Sequence, residues 1–164
     1  MAQTLGTYVT NMDAKPFERV TSRLHGGNVK GIVLTDEVPD TANGDTMILA
    51  KLPVDATLAS LRGAFDDLGT AGTVDIGLFY KAADGTYTVI DADCIANNID
   101  VSTAAVALTE YRFQVKGIET IKQPLWELAG LTARPAYSDV YLGLTTDTGT
   151  TAAGTVSMFI EYLV

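Results

Sequence analysis

The stretch Val74-Asp-Ile-Gly-Leu-Phe-Tyr80-Lys-Ala-Ala-Asp84-Gly85-Thr-Tyr87-Thr-Val-Ile90 reads as strand, turn, strand. Val74, Ile76, Leu78 and Tyr80 recur at every second position, so in extended backbone they fall on one face. Asp84-Gly85 then supplies the positive φ angles of a two-residue type I′ turn, and Tyr87–Ile90 is expected to return and pair with 74–80. A period of two followed by tight-turn chemistry is the signature of an antiparallel pair, and it sets the expectation for the rest of the chain.

The same period recurs on both sides. Thr109, Tyr111, Phe113 and Val115 alternate with Glu110, Arg112, Gln114 and Lys116, which predicts a strand with its charged side chains in solvent. Val156, Met158, Ile160, Tyr162 and Val164 share one face of a last strand, predicted to be central or at an interface. Further strands are expected at Ile32–Leu34, Thr46–Leu52, Leu58–Phe65 and Val140–Leu144, each bounded by Gly, Pro, Asp or Asn. About eight short strands at such intervals suit an all-β sandwich or barrel. Only Ile118–Leu128 departs from the pattern: apolar residues recur at three- and four-residue steps, Pro124 fits a first helical turn and Gly130 the position beyond the end, so a short helix is predicted over Pro124–Ala129. Around Asp93–Asn97 a helical turn and a loop remain open alternatives.

With 164 residues, of which 47% are hydrophobic, the chain is sized for one domain with a real core. No apolar run reaches the roughly 18 residues of a transmembrane helix, and Met1–Thr10 lacks a basic region followed by an apolar one, so a soluble protein made and used in a cytoplasm is expected, with no membrane partner. The net charge of −9 argues against nucleic acid as a partner, because phosphate contacts need clustered Lys and Arg. The charge is uneven. Residues 1–30 carry Lys15, Arg19, Arg23 and Lys30 against Asp13 and Glu18, a net of +2, while the remainder carries −11. Residues 1–30, in which Leu5, Tyr8, Val9, Met12, Phe17, Val20 and Leu24 keep no sustained period, are read as an extended arm, and 31–164 as the sandwich domain. A basic arm on an acidic body points to an acidic docking partner.

Catalytic signals are absent. His25, the single histidine, sits beside Gly26-Gly27 in the arm, and no serine occupies a G-x-S-x-G elbow. Asp66-Asp67 reads as a solvated turn, since neighbours on a strand point to opposite faces. Asp84, Asp91 and Asp93 have the oxygen ligands that calcium prefers but not the spacing of a twelve-residue calcium loop, so no cofactor or metal is assigned. Cys94 alone excludes an internal disulfide and reads as a small buried apolar side chain. Trp126 on the short helix and Tyr137 beside Pro135 are read either as interface anchors or as plugs for one end of the sandwich.

The layout also resembles a known group. An N-terminal arm precedes Asn43-Gly-Asp-Thr-Met-Ile-Leu-Ala-Lys-Leu-Pro53; Phe65-Asp-Asp-Leu-Gly69 then leads into Val74-Asp-Ile-Gly77, and the chain closes on Met158-Phe-Ile-Glu-Tyr-Leu-Val164. Over residues 43–164 this resembles the small head proteins of tailed bacteriophages, in particular capsid decoration, or cement, proteins. The resemblance implies a jelly-roll-like sandwich, often a homotrimer, that sits on the virion surface and ties subunits of the major capsid protein together without an active site. The arm matches no pattern in that family. Charge alone gives it a role, with Lys15, Arg19 and Arg23 against acidic capsid subunits and Tyr8 and Phe17 as apolar anchors. The competing readings are a carbohydrate-binding or tail-adaptor sandwich, marked by exposed aromatic pairs near a calcium-like acidic loop, and an enzyme with carboxylates converging at Asp91 and Asp93.

Overall fold

A computed structural model describes residues 28–38, 42–69, 72–102, 104–148 and 151–164. Its eight strands are β1 Val29–Val38, β2 Thr46–Pro53, β3 Thr57–Phe65, β4 Thr73–Lys81, β5 Tyr87–Asp100, β6 Val106–Glu110, β7 Asp139–Thr148 and β8 Gly154–Leu163. They form two four-stranded antiparallel sheets, ordered β1-β8-β3-β6 and β2-β7-β4-β5. Successive strands change sheet at every connection except the β4–β5 hairpin, so the chain winds around the sandwich as a jelly roll. The expected all-β class and jelly-roll-like architecture are observed.

The alternation seen in the sequence builds the core between the sheets. Val74, Ile76 and Leu78 of β4, Val140, Leu142 and Leu144 of β7, and Val156, Met158, Ile160 and Tyr162 of β8 are all buried there. β7 and β8 lie second in their sheets, each hydrogen-bonded on both sides, which suits their apolar inner faces. The predicted pairing of 74–80 with 87–90 holds, with Phe79 opposite Val89, Tyr80 opposite Thr88 and Lys81 opposite Tyr87. Its turn differs from the expected type I′. The Gly85 N–H donates to the Ala82 carbonyl and only Gly85 has positive φ, at 90°, so Ala83-Asp84 forms a type I turn followed by a left-handed glycine. Asp84 secures it by accepting from both the N–H and the hydroxyl of Thr86.

β5 runs ten residues beyond Ile90, where the sequence suggested a helical turn or a loop. Leu78 pairs with Asp91, but Ile76 pairs with Ala96, so the segment between them bulges out of the ladder. Gly77 makes the bulge fit: a Cβ there would collide with the carbonyls of Asp91 and Ala92. Asn98, the one non-glycine residue with positive φ among those described, completes the irregular stretch, its N–H donating to Asp75.

The alternating stretch Thr109–Lys116 is not one strand. β6 ends at Glu110, and the adjacent residues Tyr111 and Arg112 are both buried. Arg112, expected in solvent, is 0% exposed. Its Nε–H donates to the Leu58 carbonyl at 2.8 Å, Nη2 to the Thr120 carbonyl at 2.8 Å and Nη1 to the Thr120 hydroxyl at 3.2 Å. The guanidinium thus clamps a short 3-10 turn, Ile118–Lys122, onto β3. Satisfying these carbonyls outweighs the period-two pattern, because a buried polar group without a partner is costly. Glu110 supports the corner, accepting from the N–H groups of Leu61 and Arg112 and from the Ser60 hydroxyl.

The predicted short helix is present as α1, Leu125–Leu128, capped by Pro124 and followed by Gly130 at φ 78°. Leu125 and Leu128 are buried, and the Leu125 N–H donates to the Ala56 carbonyl, so α1 closes the end of the sandwich where β2 turns into β3. Arg134, beyond α1, grips both carboxylate oxygens of Asp55 in that turn at 2.7 and 2.9 Å.

Candidate functional site

Tyr8, Lys15, Phe17, Arg19, Arg23 and His25 lie outside the described residues. Trp126 is half-buried on α1 and packs against the core. Asp66 and Asp67 are exposed and do turn work: Asp67 accepts from the Gly69 N–H and Asp66 from the Thr155 N–H.

The aspartates considered for calcium separate. Asp84 sits in the β4–β5 turn with Thr86. Asp91 stands at the edge of the bulge in β5 and Asp93 within it; Asp91 accepts from the Asp93 N–H and Asp93 from the Asn97 amide. Burial, followed by the hydrogen bond with Asp93, holds the Asp91 carboxyl above the ordinary carboxylate range. Among the described residues no group of three or more His, Cys, Asp or Glu side chains is placed to hold a metal ion. Cys94 is buried at 1% exposure, and burial raises its thiol far above the usual value. No helix among the described residues is long and apolar enough to cross a membrane.

Two surfaces stand out instead. On the outer face of the β1-β8-β3-β6 sheet, Val29 and Val33 are 61% and 70% exposed, opposite Leu163 and Phe159 of β8. The guanidinium of Arg62 lies over the Phe159 ring at 4.5 Å and within 3.8 Å of Glu161. This is an apolar strip edged with charge, on the strand that follows residues 1–28.

The second surface is aromatic. On the outer face of the other sheet Tyr141 of β7 lies opposite Phe79 of β4, and Gly143 leaves room for the Phe79 ring. Tyr87 meets Tyr141 edge to face, with centroids 5.0 Å apart, and the Lys81 ammonium lies 5.3 Å over the Tyr87 ring. At the end of the same sheet Tyr137 stacks on Tyr80, at 5.1 Å and 5° between planes. Between these groups is an open cleft of about 380 Å³, lined by Lys81, Ala136, Tyr137, Ser138, Asp139 and Tyr141. Asp139 accepts from Ser138 at 2.7 Å and from Lys51 at 3.0 Å, and these contacts, the serine first, hold its carboxyl below the usual range. Tyr137 beside Pro135 was legible as an interface anchor or an end plug. Its partners were not, because Tyr80, Tyr87 and Tyr141 come from three strands whose adjacency only the topology supplies.

No protein-family model matches the chain, and no curated protein is similar to it in sequence. Among solved structures it is similar to a chain in the capsid of Ralstonia phage GP4, with a TM-score of 0.55 and 16% identity over 82% of this chain and 84% of that one. It is also similar to a chain in the capsid asymmetric unit of cyanophage Pam1, with a TM-score of 0.51 and 18% identity over 84% and 86%. A chain of infectious bursal disease virus, Gx strain, shares the fold with a TM-score of 0.50 and 11% identity, over 83% of this chain but 32% of the viral one. These likenesses establish a sandwich of the type found in viral capsids.

Proposed function

We propose that the chain is a structural virion protein of the decoration, or cement, type, which binds the assembled major capsid protein lattice as a homotrimer on the capsid surface and performs no catalysis. The supporting observation is the paired coverage. The GP4 and Pam1 capsid chains match over more than four fifths of both partners, so in each phage capsid a chain of nearly this length consists of little more than this sandwich. In infectious bursal disease virus the same fold is one part of a much longer chain. A self-contained jelly roll supplies rigid docking area, and a ligand that binds only assembled lattice stabilises it by mass action.

Residues 1–28 precede β1 in the chain, the edge strand of its sheet among the described residues, whose outer face shows Val29 and Val33. In this proposal the arm docks on acidic capsid subunits through Lys15, Arg19 and Arg23, with Tyr8 and Phe17 as apolar anchors; the β1–β8 strip continues that contact, and Trp126 adds to it. The test is co-sedimentation with empty phage heads, together with the solution mass. Trimers that pellet with heads, and a variant lacking residues 1–24 that stays in the supernatant, are expected. Undiminished pelleting of that variant refutes the role of the arm, and failure of the whole chain to pellet refutes the decoration reading.

A further inference from the structure

The cleft between Tyr137 and Tyr141 belongs to the β2-β7-β4-β5 sheet, the opposite one from the apolar strip of β1 and β8. Its volume of about 380 Å³ falls at the lower end of the roughly 300–1,000 Å³ of small-ligand pockets. We propose that it is a saccharide-binding site that takes a sugar unit bearing a carboxylate, within an acidic glycan.

The groups present select that chemistry. A pyranose has two kinds of surface, a face of C–H bonds and a rim of hydroxyls. The C–H bonds are weakly positive and settle on the negative face of an aromatic ring. Tyr137 and Tyr141 provide rings on two sides, and both are restrained, Tyr137 by its stack on Tyr80 and Tyr141 by Tyr87 and Phe79. Rings already fixed lose little freedom when a ligand arrives. The rim hydroxyls meet Ser138 and Asp139. Both contacts to Asp139 fall on Oδ2, so Oδ1 keeps its capacity to accept.

Lys81 gives the preference for acid. Lys51 is neutralised by Asp139 at 3.0 Å, whereas among the described residues Lys81 has no carboxylate partner and rests over the Tyr87 ring. The cleft therefore offers an uncompensated ammonium in a chain of net charge −9. A sugar carboxylate complements it, and one carboxylate per sugar unit brings less charge against the acidic body than a polyphosphate does. A purely apolar ligand would cover the Lys81 ammonium without offering it a partner.

The experiment is isothermal titration of the full chain with an oligogalacturonate and with a neutral maltooligosaccharide of equal length, preceded by a glycan array. Binding of the acidic oligosaccharide is expected, about tenfold weaker in Tyr137→Ala, the factor that one stacked aromatic contact represents. In Lys81→Ala the preference for acid over neutral sugar should disappear. Ser138→Trp, at an exposed loop position, should fill the cleft and abolish binding without changing the melting temperature, which covers the case of a Tyr variant that fails to fold. Absence of any acidic glycan among the array hits, or sugar binding that survives Ser138→Trp, overturns the proposal. Ser138→Trp should still pellet with phage heads, so the glycan reading and the capsid reading fail separately.

Discussion

Arg112 should be the side chain whose removal tells most about the body of this protein. Alanine at 112 strands the Leu58 and Thr120 carbonyls, which now accept at 2.8 Å each, and empties the volume of a side chain with no exposed surface. Each buried acceptor left without a partner costs ~1–3 kcal/mol, and a cavity of this kind costs ~2–5 kcal/mol. Against this stands the recovered cost of keeping a charge out of water, several kcal/mol, which also lowers the affinity of the guanidinium for its proton. The net expectation is a loss of about 3–4 kcal/mol, which in a chain of this length lowers Tm by roughly 6–15 °C. Arg112→Met refills the volume without the charge and should lose only about 1–2 kcal/mol. Urea denaturation gives both values, and hydrogen exchange locates the effect: the amides of Thr120 and Gln123, which close the 3-10 turn, should exchange faster in Arg112→Ala while those of β4 and β7 keep their protection. An Arg112→Ala midpoint within about 1 kcal/mol of wild type, or methionine proving worse than alanine, would refute the clamp.

Three further outcomes follow from single residues. A carboxyl held above its unfolded pKa binds extra protons in the folded state, so its ionised form costs stability at neutral pH and the cost fades as pH falls through the interval between the two values. Asp91→Asn should therefore raise the urea midpoint at about pH 7 and lose that advantage near pH 4; an equal gain at both would show that ionisation is not involved. Gly77→Ala forces a methyl group into the backbone of Asp91 and Ala92, which cannot swing aside, and should cost at least the upper end of the ~1–3 kcal/mol of overpacking; Gly31→Ala, with nothing within 4 Å, should be near neutral, and similar melting temperatures for the pair would refute the close approach. Cys94 should resist a thiol reagent at mild alkaline pH in the folded protein and react promptly in urea; fast labelling of the native state would place it nearer solvent than its 1% exposure.

Strands were readable where one face is apolar and the other polar, as in β4 and β8, because period two then has a physical meaning: one side touches the core. The same rule misread Thr109–Lys116. There Tyr111 and Arg112 both turn inward, and what decides their direction is a pair of carbonyls on Leu58 and Thr120, the first more than fifty positions earlier in the chain. β5 escaped beyond Ile90 because Asp91, Asp93, Asn97 and Asn98 look like loop residues; they belong to a strand only because Gly77, on the neighbouring strand, lets the bulge come close. The aromatic cleft failed to show for a related reason. Its tyrosines are separated in sequence and are gathered by the order β7-β4-β5, which no local pattern encodes.

That strand order also bears on how the chain is made. β1 has only β8 as a ladder partner among the described residues, and β2 has only β7, yet β7 and β8 come after the other six described strands in chain order and so leave a ribosome after them. Until they emerge, β1 and β2 lack these partners, and among the described strands the β4–β5 hairpin and the β3–β6 pair are the ladders that can form early. Folding of the sandwich must then wait for β7 and β8 and be slow for its size, as expected where distant partners have to meet before either is rewarded. Nascent chains stalled before Asp139 should accordingly hold open edges that invite association with one another.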